Sequence, residues 1–223
     1  MKMKKGIIFD LDGTLLNTLY DLKEAVNYAL KKHGFQEITL EQTRTYVGNG
    51  IRQLVLRAMG KECDFATSEE VIHDFKDYYD KHQKDFTVPY DGIEEMIKNI
   101  YHLNLKMAIV SNKYQEGVDN LCAPLFGKYI DVFIGSREGL KLKPSPDMVY
   151  LACQQLNLNP EECYFVGDSD TDAMTGKNAN MKVIGVTWGY RDEELLQQLN
   201  VDYIIHHPSE LISILKTEEK NNG

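Results

Sequence analysis

Apolar positions along this chain of 223 residues follow two different periods. Short runs of consecutive apolar residues predict strands that are buried on both faces. Other apolar residues recur every three or four positions, which predicts amphipathic helices. Because the two patterns alternate along most of the chain, they indicate an α/β fold in which helices cover both faces of a parallel sheet. The predicted strands comprise residues 6–9, 107–110, 132–134, 163–166, 183–186 and 203–205.

The segment 17–86 differs from the rest because only helical patterns occur in it. Capping-box spacings that begin at Thr39 and at Thr67 predict helix starts there. We therefore predict a core formed by residues 1–16 and 87–223, with an all-helical cap inserted after the first strand. Open α/β sheets bind ligands at the carboxyl ends of their strands, so we expect the cap to cover that edge as a lid.

The charge balance limits the classes of partner. Asp and Glu number 34 against 25 Lys and Arg, which gives a formal net charge of −9. Such an acidic chain disfavours binding to nucleic acid or to an anionic membrane surface. The cysteines lack paired spacing and no apolar run approaches the ~18 residues of a membrane span, so we expect a cytoplasmic protein. Monomer and homodimer both remain open.

Two carboxylates follow the first predicted strand. Asp10 and Asp12 project to the same side of the chain, because side chains alternate along a strand. Crowded carboxylates repel each other, and Mg2+ relieves that repulsion while also holding substrate phosphates. The pair therefore indicates a metal-assisted phosphate site with a carboxylate nucleophile. The simpler alternative is an ordinary turn made by Asp12 and Gly13.

Polar residues also follow later strands. Ser111 and Asn112 offer a hydroxyl and an amide to a phosphate oxygen, although Ser-Asn is also a common turn. Lys143 supplies a cation for a transferring phosphoryl group, and periodicity alone does not separate it from Lys141.

Asp168 ends another predicted strand, where it can ligate a metal ion, and Asp172 lies about one helical turn later. Helix capping explains one acid of the run Asp168, Asp170 and Asp172 comfortably, but not all three. Together with the earlier loops, these residues make up the parts that phosphoryl transfer requires.

These motifs resemble those of a known family. The run Phe9-Asp10-Leu11-Asp12-Gly13-Thr14-Leu15 resembles the first signature of the haloacid dehalogenase superfamily. Its other three signatures are similar to Ser111-Asn112, to Lys143-Pro144, and to Gly167-Asp168-Ser169 with Asp172. The resemblance implies a Rossmann-like core with a helical cap and a Mg2+-dependent hydrolase.

The resemblance also implies roles for individual residues. Asp10 would be the nucleophile that forms an aspartyl-phosphate, and Asp12 the general acid and base. Asp10, the backbone carbonyl of Asp12, and Asp168 would hold the metal, with Asp172 supporting the metal site and Lys143. The phosphate group would be bound by residues of the remaining motifs, namely Thr14, Ser111, Asn112 and Lys143.

The cap carries a further resemblance, to the phosphoglycolate phosphatases of this family, centred on the turn Gly48-Asn49-Gly50. It implies a small phosphorylated metabolite as substrate, with 2-phosphoglycolate as the leading choice. The two glycines would let the backbone approach a small substrate. Arg52 would pair with a substrate carboxylate, unless it is simply an exposed helix residue.

Other activities stay open at this stage. Pyrophosphatases, nucleotidases and broad sugar-phosphate phosphatases have similar motifs. A sugar-phosphate mutase is less favoured, because it needs an acid or base, often His, near the start of the first cap helix, where this chain has Tyr20-Asp21-Leu22. A non-catalytic phosphate-binding module is the alternative from a different class.

Overall fold

The structure is a computed structural model that describes residues 4–60, 64–130 and 132–222. Six of its strands form one parallel sheet in the order β5-β4-β1-β6-β7-β8, and β2 pairs antiparallel with β3. This confirms the predicted α/β class. The strands are β1 Gly6–Phe9, β2 Leu16–Asn17, β3 Val88–Pro89, β4 Lys106–Tyr114, β5 Val132–Ser136, β6 Cys163–Gly167, β7 Lys182–Val186 and β8 Tyr203–Ile205.

Helices separate the strands. Helices α5–α10 accompany the sheet, and α1–α4 lie between β2 and β3 in the chain. No helix within the described ranges is long and apolar enough to cross a membrane. The helices are α1 Leu19–Lys32, α2 Leu40–Tyr46, α3 Ile51–Met59, α4 Phe65–His82, α5 Ile93–His102, α6 Gln115–Phe126, α7 Asp147–Leu156, α8 Asp170–Asn178, α9 Glu193–Gln198 and α10 Pro208–Asn222.

Strand β1 lies at the centre of the sheet. Ile8 pairs with Ala108 of β4 on one side and with Phe165 of β6 on the other. All four residues of β1 are buried, because separate apolar clusters cover the two faces of the sheet. The carboxyl end of β1, where Asp10 begins, therefore lies in the middle of the ligand-binding edge.

The four helices α1–α4 pack around an apolar cluster of their own, which includes Val26, Leu54 and Phe75. From the sheet side, Tyr190 is the buried residue that joins this cluster. The predicted boundaries between core and cap, after residue 16 and after residue 86, fall at or beside the short two-stranded sheet of β2 and β3. The division into core and cap stays a prediction, and each part has the apolar cluster that such a division requires.

One helix start differs from its prediction. The capping box at Thr39 is present, with Gln42 as its reciprocal partner. The second helix starts at Phe65 rather than after Thr67, because the Asp64 carboxylate accepts the backbone N–H of Thr67 at 2.9 Å. Asp64 therefore caps α4 one turn earlier than the Thr67 spacing predicted.

Candidate active site

A pocket lies between the carboxyl ends of the central strands and the helices α1–α4. Most of the residues singled out in the sequence line it: Asp10, Asp12, Gly48, Gly50, Ser111, Asn112, Lys143, Asp168 and Asp172. Thr14, Asn49 and Arg52 are not among its lining residues. The topology explains the convergence, since β1, β4 and β6 are neighbouring parallel strands that end at one edge.

Lys143 is the cation at the centre of the pocket. Its Nζ donates to Asp10 Oδ1 at 2.6 Å, to Asp172 Oδ1 at 2.7 Å and to the Val110 carbonyl at 3.2 Å. An ammonium group has three donors, so these partners use all of them. Burial alone would lower the pKa of Lys143, but the two carboxylates outweigh it and raise that pKa above its usual range. Lys141, its competitor in the sequence, is exposed.

Three acids form what we call the carboxylate cluster: Asp10, Asp168 and Asp172. One oxygen from each lies within 4.8 Å of the others, and all three residues are buried. Burial, then repulsion from Asp172, raises the pKa of Asp10 well above its usual value, although Lys143 opposes this. The same two causes raise the pKa of Asp168 to about 7. Buried carboxylates that repel one another fit a bound Mg2+, because this ion prefers oxygen ligands.

The cluster contains two of the predicted metal ligands, Asp10 and Asp168, together with Asp172, which was predicted to support the metal site. The third predicted ligand is the backbone carbonyl of Asp12 and stays a prediction, because the Asp12 carboxylate is not a member of the cluster. Asp12 Oδ1 instead accepts from the Thr18 hydroxyl at 2.6 Å and lies 3.2 Å from Lys113 Nζ. The Thr18 hydroxyl is also 3.0 Å from that of Tyr190. The two acids of the first motif thus have separate environments, which is what two different chemical roles require.

Ser111 and Asn112 serve different functions in the site. The Ser111 hydroxyl accepts the backbone N–H of Lys113 at 3.1 Å, which leaves its own proton free for a ligand. The amide nitrogen of Asn112 donates to the carbonyls of Gly48 and Lys143, at 3.0 and 3.1 Å. Both protons of its side-chain amide therefore have partners within the protein, and these bonds join the Lys143 loop to the Gly48 turn. The role of Asn112 in binding phosphate stays a prediction.

Thr14, which was predicted to bind phosphate, lies outside the lining of the pocket. Thr14 is almost fully buried, and its hydroxyl donates to Asp168 Oδ1 at 3.3 Å. The preceding Gly13 has a φ of +96°, and a Cβ there would lie 2.6 Å from Asp168 Oδ2. The turn after Asp12 therefore packs directly against the Asp168 carboxylate, and the hydrogen bond from Thr14 helps to orient that carboxylate. The phosphate-binding role of Thr14 stays a prediction.

The four cap residues named from the sequence divide into two groups. Gly48 and Gly50 line the pocket, and Asn49 donates to the Thr171 hydroxyl at 3.3 Å. Arg52 points elsewhere: its guanidinium is 2.5 Å from Glu69 of α4, and its side chain is 46% exposed. The interhelical ion pair thus takes Arg52 away from the pocket.

Pattern analysis missed several residues of the site. Lys113 and Tyr79 line the pocket and contact each other, with Lys113 Nζ 2.8 Å from the Tyr79 hydroxyl. Tyr190 donates its backbone N–H to Asp168 Oδ2 at 2.7 Å. Arg191 donates to the carbonyls of Arg44 and Val47 at 2.6 and 2.8 Å, and so ties the helical segment to the core. The adjacent Ser111-Asn112 motif is the one sequence signal that could have drawn attention to Lys113.

Comparison with known proteins agrees with this geometry. The family model described as haloacid dehalogenase-like hydrolase matches residues 7–186. A phosphoglycolate phosphatase of Psychrobacter arcticus is 34% identical, over 98% of this chain and 99% of its own length. The N-acetylmuramic acid 6-phosphate phosphatase of Pseudomonas aeruginosa is 31% identical, with 95% and 94% covered. The pyrophosphatase PpaX of Listeria innocua is 30% identical, with 96% and 97% covered.

The fold comparison leads to the same family. A crystal structure from Lactobacillus delbrueckii subsp. bulgaricus, provisionally named phosphoglycolate phosphatase, superposes with a TM-score of 0.90 and 31% identity. The match covers 96% of this chain and 99% of that one. The family model spans the first strand, the helical segment and the strands that carry the other three motifs. The chain therefore belongs to the haloacid dehalogenase-like hydrolase family.

Proposed function

We propose that this protein is a Mg2+-dependent phosphatase that hydrolyses small phosphate esters through an aspartyl-phosphate on Asp10, with 2-phosphoglycolate as the leading substrate. The observation that carries this proposal is the separation of two acids within one pocket. Asp10 belongs to the buried carboxylate cluster with Lys143, whereas Asp12 is hydrogen-bonded to Thr18 and lies beside Lys113. This separation supports giving nucleophilic attack to Asp10 and proton transfer to Asp12.

The metal fits the donor set described above. Asp10 and Asp168 would hold Mg2+, with Asp172 as a further oxygen donor of the same cluster. The Asp12 backbone carbonyl would be the third ligand that the family resemblance implies. When bound, the ion would neutralise charge on the phosphoryl oxygens and on the carboxylate cluster.

The first step transfers the phosphoryl group to the protein. An Asp10 carboxylate oxygen attacks phosphorus, and the bond between phosphorus and the ester oxygen breaks. Asp12, carrying a proton, gives it to the departing oxygen, which leaves as an alcohol. Lys143 and the Ser111 hydroxyl, which both line the pocket, would bind the phosphoryl oxygens during transfer.

The second step releases phosphate. Asp12, now a carboxylate, takes a proton from a water molecule, and the water oxygen attacks phosphorus. The bond from phosphorus to Asp10 breaks, which restores the carboxylate and yields inorganic phosphate. Thr18 donates to Asp12 and so fixes the orientation of this acid through both steps.

The cap wall of the pocket favours a small substrate. The side chains that α1, α3, α4 and the preceding turn contribute are apolar except for Tyr79, and none is a His or a carboxylate. Asp21, at the start of the first cap helix, is buried and accepts the backbone N–H groups of Phe86 and Thr87. This arrangement argues against a mutase, which needs a cap acid or base.

Phosphate release from a panel of esters tests the proposal. The panel comprises 2-phosphoglycolate, pyrophosphate, a nucleoside monophosphate, a glucose phosphate and an aryl phosphate, each with and without Mg2+. We expect Mg2+-dependent release, fastest from 2-phosphoglycolate, and none above background from Asp10→Asn. If phosphate is released from no substrate, the protein is instead a non-catalytic phosphate-binding module. If release is fastest from another ester, that ester replaces 2-phosphoglycolate as the leading substrate.

A further inference from the structure

Lys113 is a second buried cation in the pocket, and the mechanism above does not use it. Its side chain is only 4% exposed. Its Nζ lies 3.2 Å from Asp12 Oδ1, 2.8 Å from the Tyr79 hydroxyl and 4.6 Å from the centre of the Tyr79 ring. The Asp12 carboxylate and the Tyr79 hydroxyl thus give this buried cation an anionic and a polar partner.

The two lysines of the pocket differ in the number of donors that the protein uses. Lys143 has three polar partners for its three N–H donors. Lys113 has two among the residues that the structure describes, Asp12 and Tyr79. One N–H of Lys113 is therefore available to a ligand in the pocket, whereas Lys143 must exchange a partner to bind one.

The surroundings of Lys113 limit what that ligand can be. Apart from Tyr79, the cap side chains that line the same pocket are apolar, as Leu22, Leu54 and Phe75 illustrate. A polyhydroxylated sugar would lose its hydrogen bonds to water at such a wall. A single anionic group next to the cation would keep a strong, charge-assisted partner.

The position of Lys113 relative to Asp12 indicates which part of the substrate it meets. In the proposed mechanism Asp12 protonates the departing oxygen, so a cation in contact with Asp12 lies beside the leaving group. A carboxylate or phosphate one or two bonds beyond that oxygen is within reach of Lys113. The Tyr79 hydroxyl, whose pKa burial raises to about 12, stays protonated and can donate to the same group.

We infer that Lys113 and Tyr79 form an anion subsite for the leaving group, and that the substrates are phosphate esters or anhydrides whose leaving group carries a second negative charge. This inference rests on the proposed function and makes its substrate class specific. It accommodates both a carboxylate and a phosphate as the second anion.

A matched pair of esters tests the subsite. 2-Phosphoglycolate and 2-hydroxyethyl phosphate differ in carrying a carboxylate or a neutral hydroxymethyl group beyond the same ester oxygen. We expect the wild type to prefer the anionic ester in kcat/KM. Lys113→Met should lower kcat/KM about 10- to 100-fold on the anionic ester, the range expected for loss of one charge-assisted hydrogen bond, and much less on the neutral ester.

Three further variants complete the test. Lys113→Arg should restore part of the preference, because it restores the charge, and Tyr79→Phe should reduce the preference without removing it. Lys98→Met removes an exposed lysine that pairs with Glu94 outside the pocket, and should leave the hydrolysis of both esters unchanged. Pyrophosphate distinguishes a second phosphate from a carboxylate as the anion that the subsite prefers. Whichever of pyrophosphate and 2-phosphoglycolate loses more kcat/KM in Lys113→Met carries the preferred anion.

Each outcome decides one question. If Lys113→Met lowers both esters equally, Lys113 merely positions Asp12 and the inference is wrong. If the wild type hydrolyses both esters equally well, the inference is also wrong while the proposed phosphatase function stands. If the wild type hydrolyses another ester of the panel but neither of these two esters nor pyrophosphate, the inference is wrong while the phosphatase function stands. If it hydrolyses no member of the panel, the proposed function fails. Should Lys113→Met not fold, the wild-type preference and Tyr79→Phe still decide the matter.

Discussion

Replacing Lys143 with Met tests the electrostatic account of the site, because Lys143 is the cation that contacts the carboxylate cluster directly. Its Nζ bonds two buried carboxylates, Asp10 at 2.6 Å and Asp172 at 2.7 Å. Charge-assisted hydrogen bonds contribute about 1.5–3 kcal/mol each, and removing one partner of a buried ion pair costs about 3–5 kcal/mol. We therefore expect Lys143→Met to lose about 3–5 kcal/mol of unfolding free energy in EDTA.

Mg2+ should offset part of this loss, because it neutralises the same carboxylates. At 100 times its dissociation constant, a ligand that binds only the folded state adds about 2.7 kcal/mol. Urea unfolding followed by circular dichroism, with EDTA or with Mg2+, measures both effects. Lys141→Met is the matched control, since Lys141 is an exposed lysine two residues away, and it should lose less than about 0.5 kcal/mol.

Equal stability of Lys143→Met and Lys141→Met in EDTA would refute this reasoning. It would mean that the carboxylate cluster is not repulsive in the metal-free protein, and that Lys143 does not hold it together. A loss that Mg2+ deepens rather than relieves would equally contradict the proposed metal site.

Three other predictions concern neighbouring parts of the site. The pKa of Asp168 is raised to about 7, so in the metal-free protein the folded state binds a proton that the unfolded state has lost. The unfolding free energy in EDTA should therefore fall as the pH rises from about 4 to 7, and denaturation curves recorded across that range should show a smaller fall in Asp168→Asn. Thr18→Val removes the hydroxyl that donates to Asp12, so kcat should fall about tenfold on alkyl phosphates but less on aryl phosphates, because aryl leaving groups need less protonation. Equal losses of kcat on both kinds of ester would show that Thr18 does not act through Asp12. Arg52→Ala should change kcat/KM by less than about twofold and unfolding free energy by less than about 1 kcal/mol, because it removes one half-exposed ion pair. A large rise in KM would show that Arg52 does contact the substrate.

Much of this arrangement could be predicted from local pattern. The apolar run at Gly6–Phe9 ends at an acid, and the alternation of strands and helices requires such strand ends to meet at one edge. Asp10 and Asp168 could therefore be placed together from the pattern alone, whereas Lys143 could not. Local pattern does not separate Lys143 from Lys141, because three-dimensional packing decides which of the two lysines is buried. The choice of Lys143 therefore depended on its resemblance to the family motif.

The rest depends on contacts between segments that are distant in the chain. Strand β4 continues to Tyr114, four residues beyond the predicted end, and this extension carries Lys113 to Asp12 and Tyr79. Arg52 pairs with Glu69 through the packing of α3 on α4, which no local pattern in the chain encodes. Sequence reasoning identified chemistry at strand ends well, and failed where two helices or a helix and a loop decide an orientation.

Trapping the phosphorylated protein tests the central claim most directly. Asp12→Asn should slow the second step more than the first, because the first step with an aryl phosphate needs little proton donation while the second needs a base. Acid quenching of this variant with an aryl phosphate and Mg2+, followed by peptide mass spectrometry, should find one added phosphoryl group on Asp10, and none in Asp10→Asn. Turnover by the wild type with no phosphoryl group on Asp10 in any quenched sample, or with one on another residue, would contradict the account.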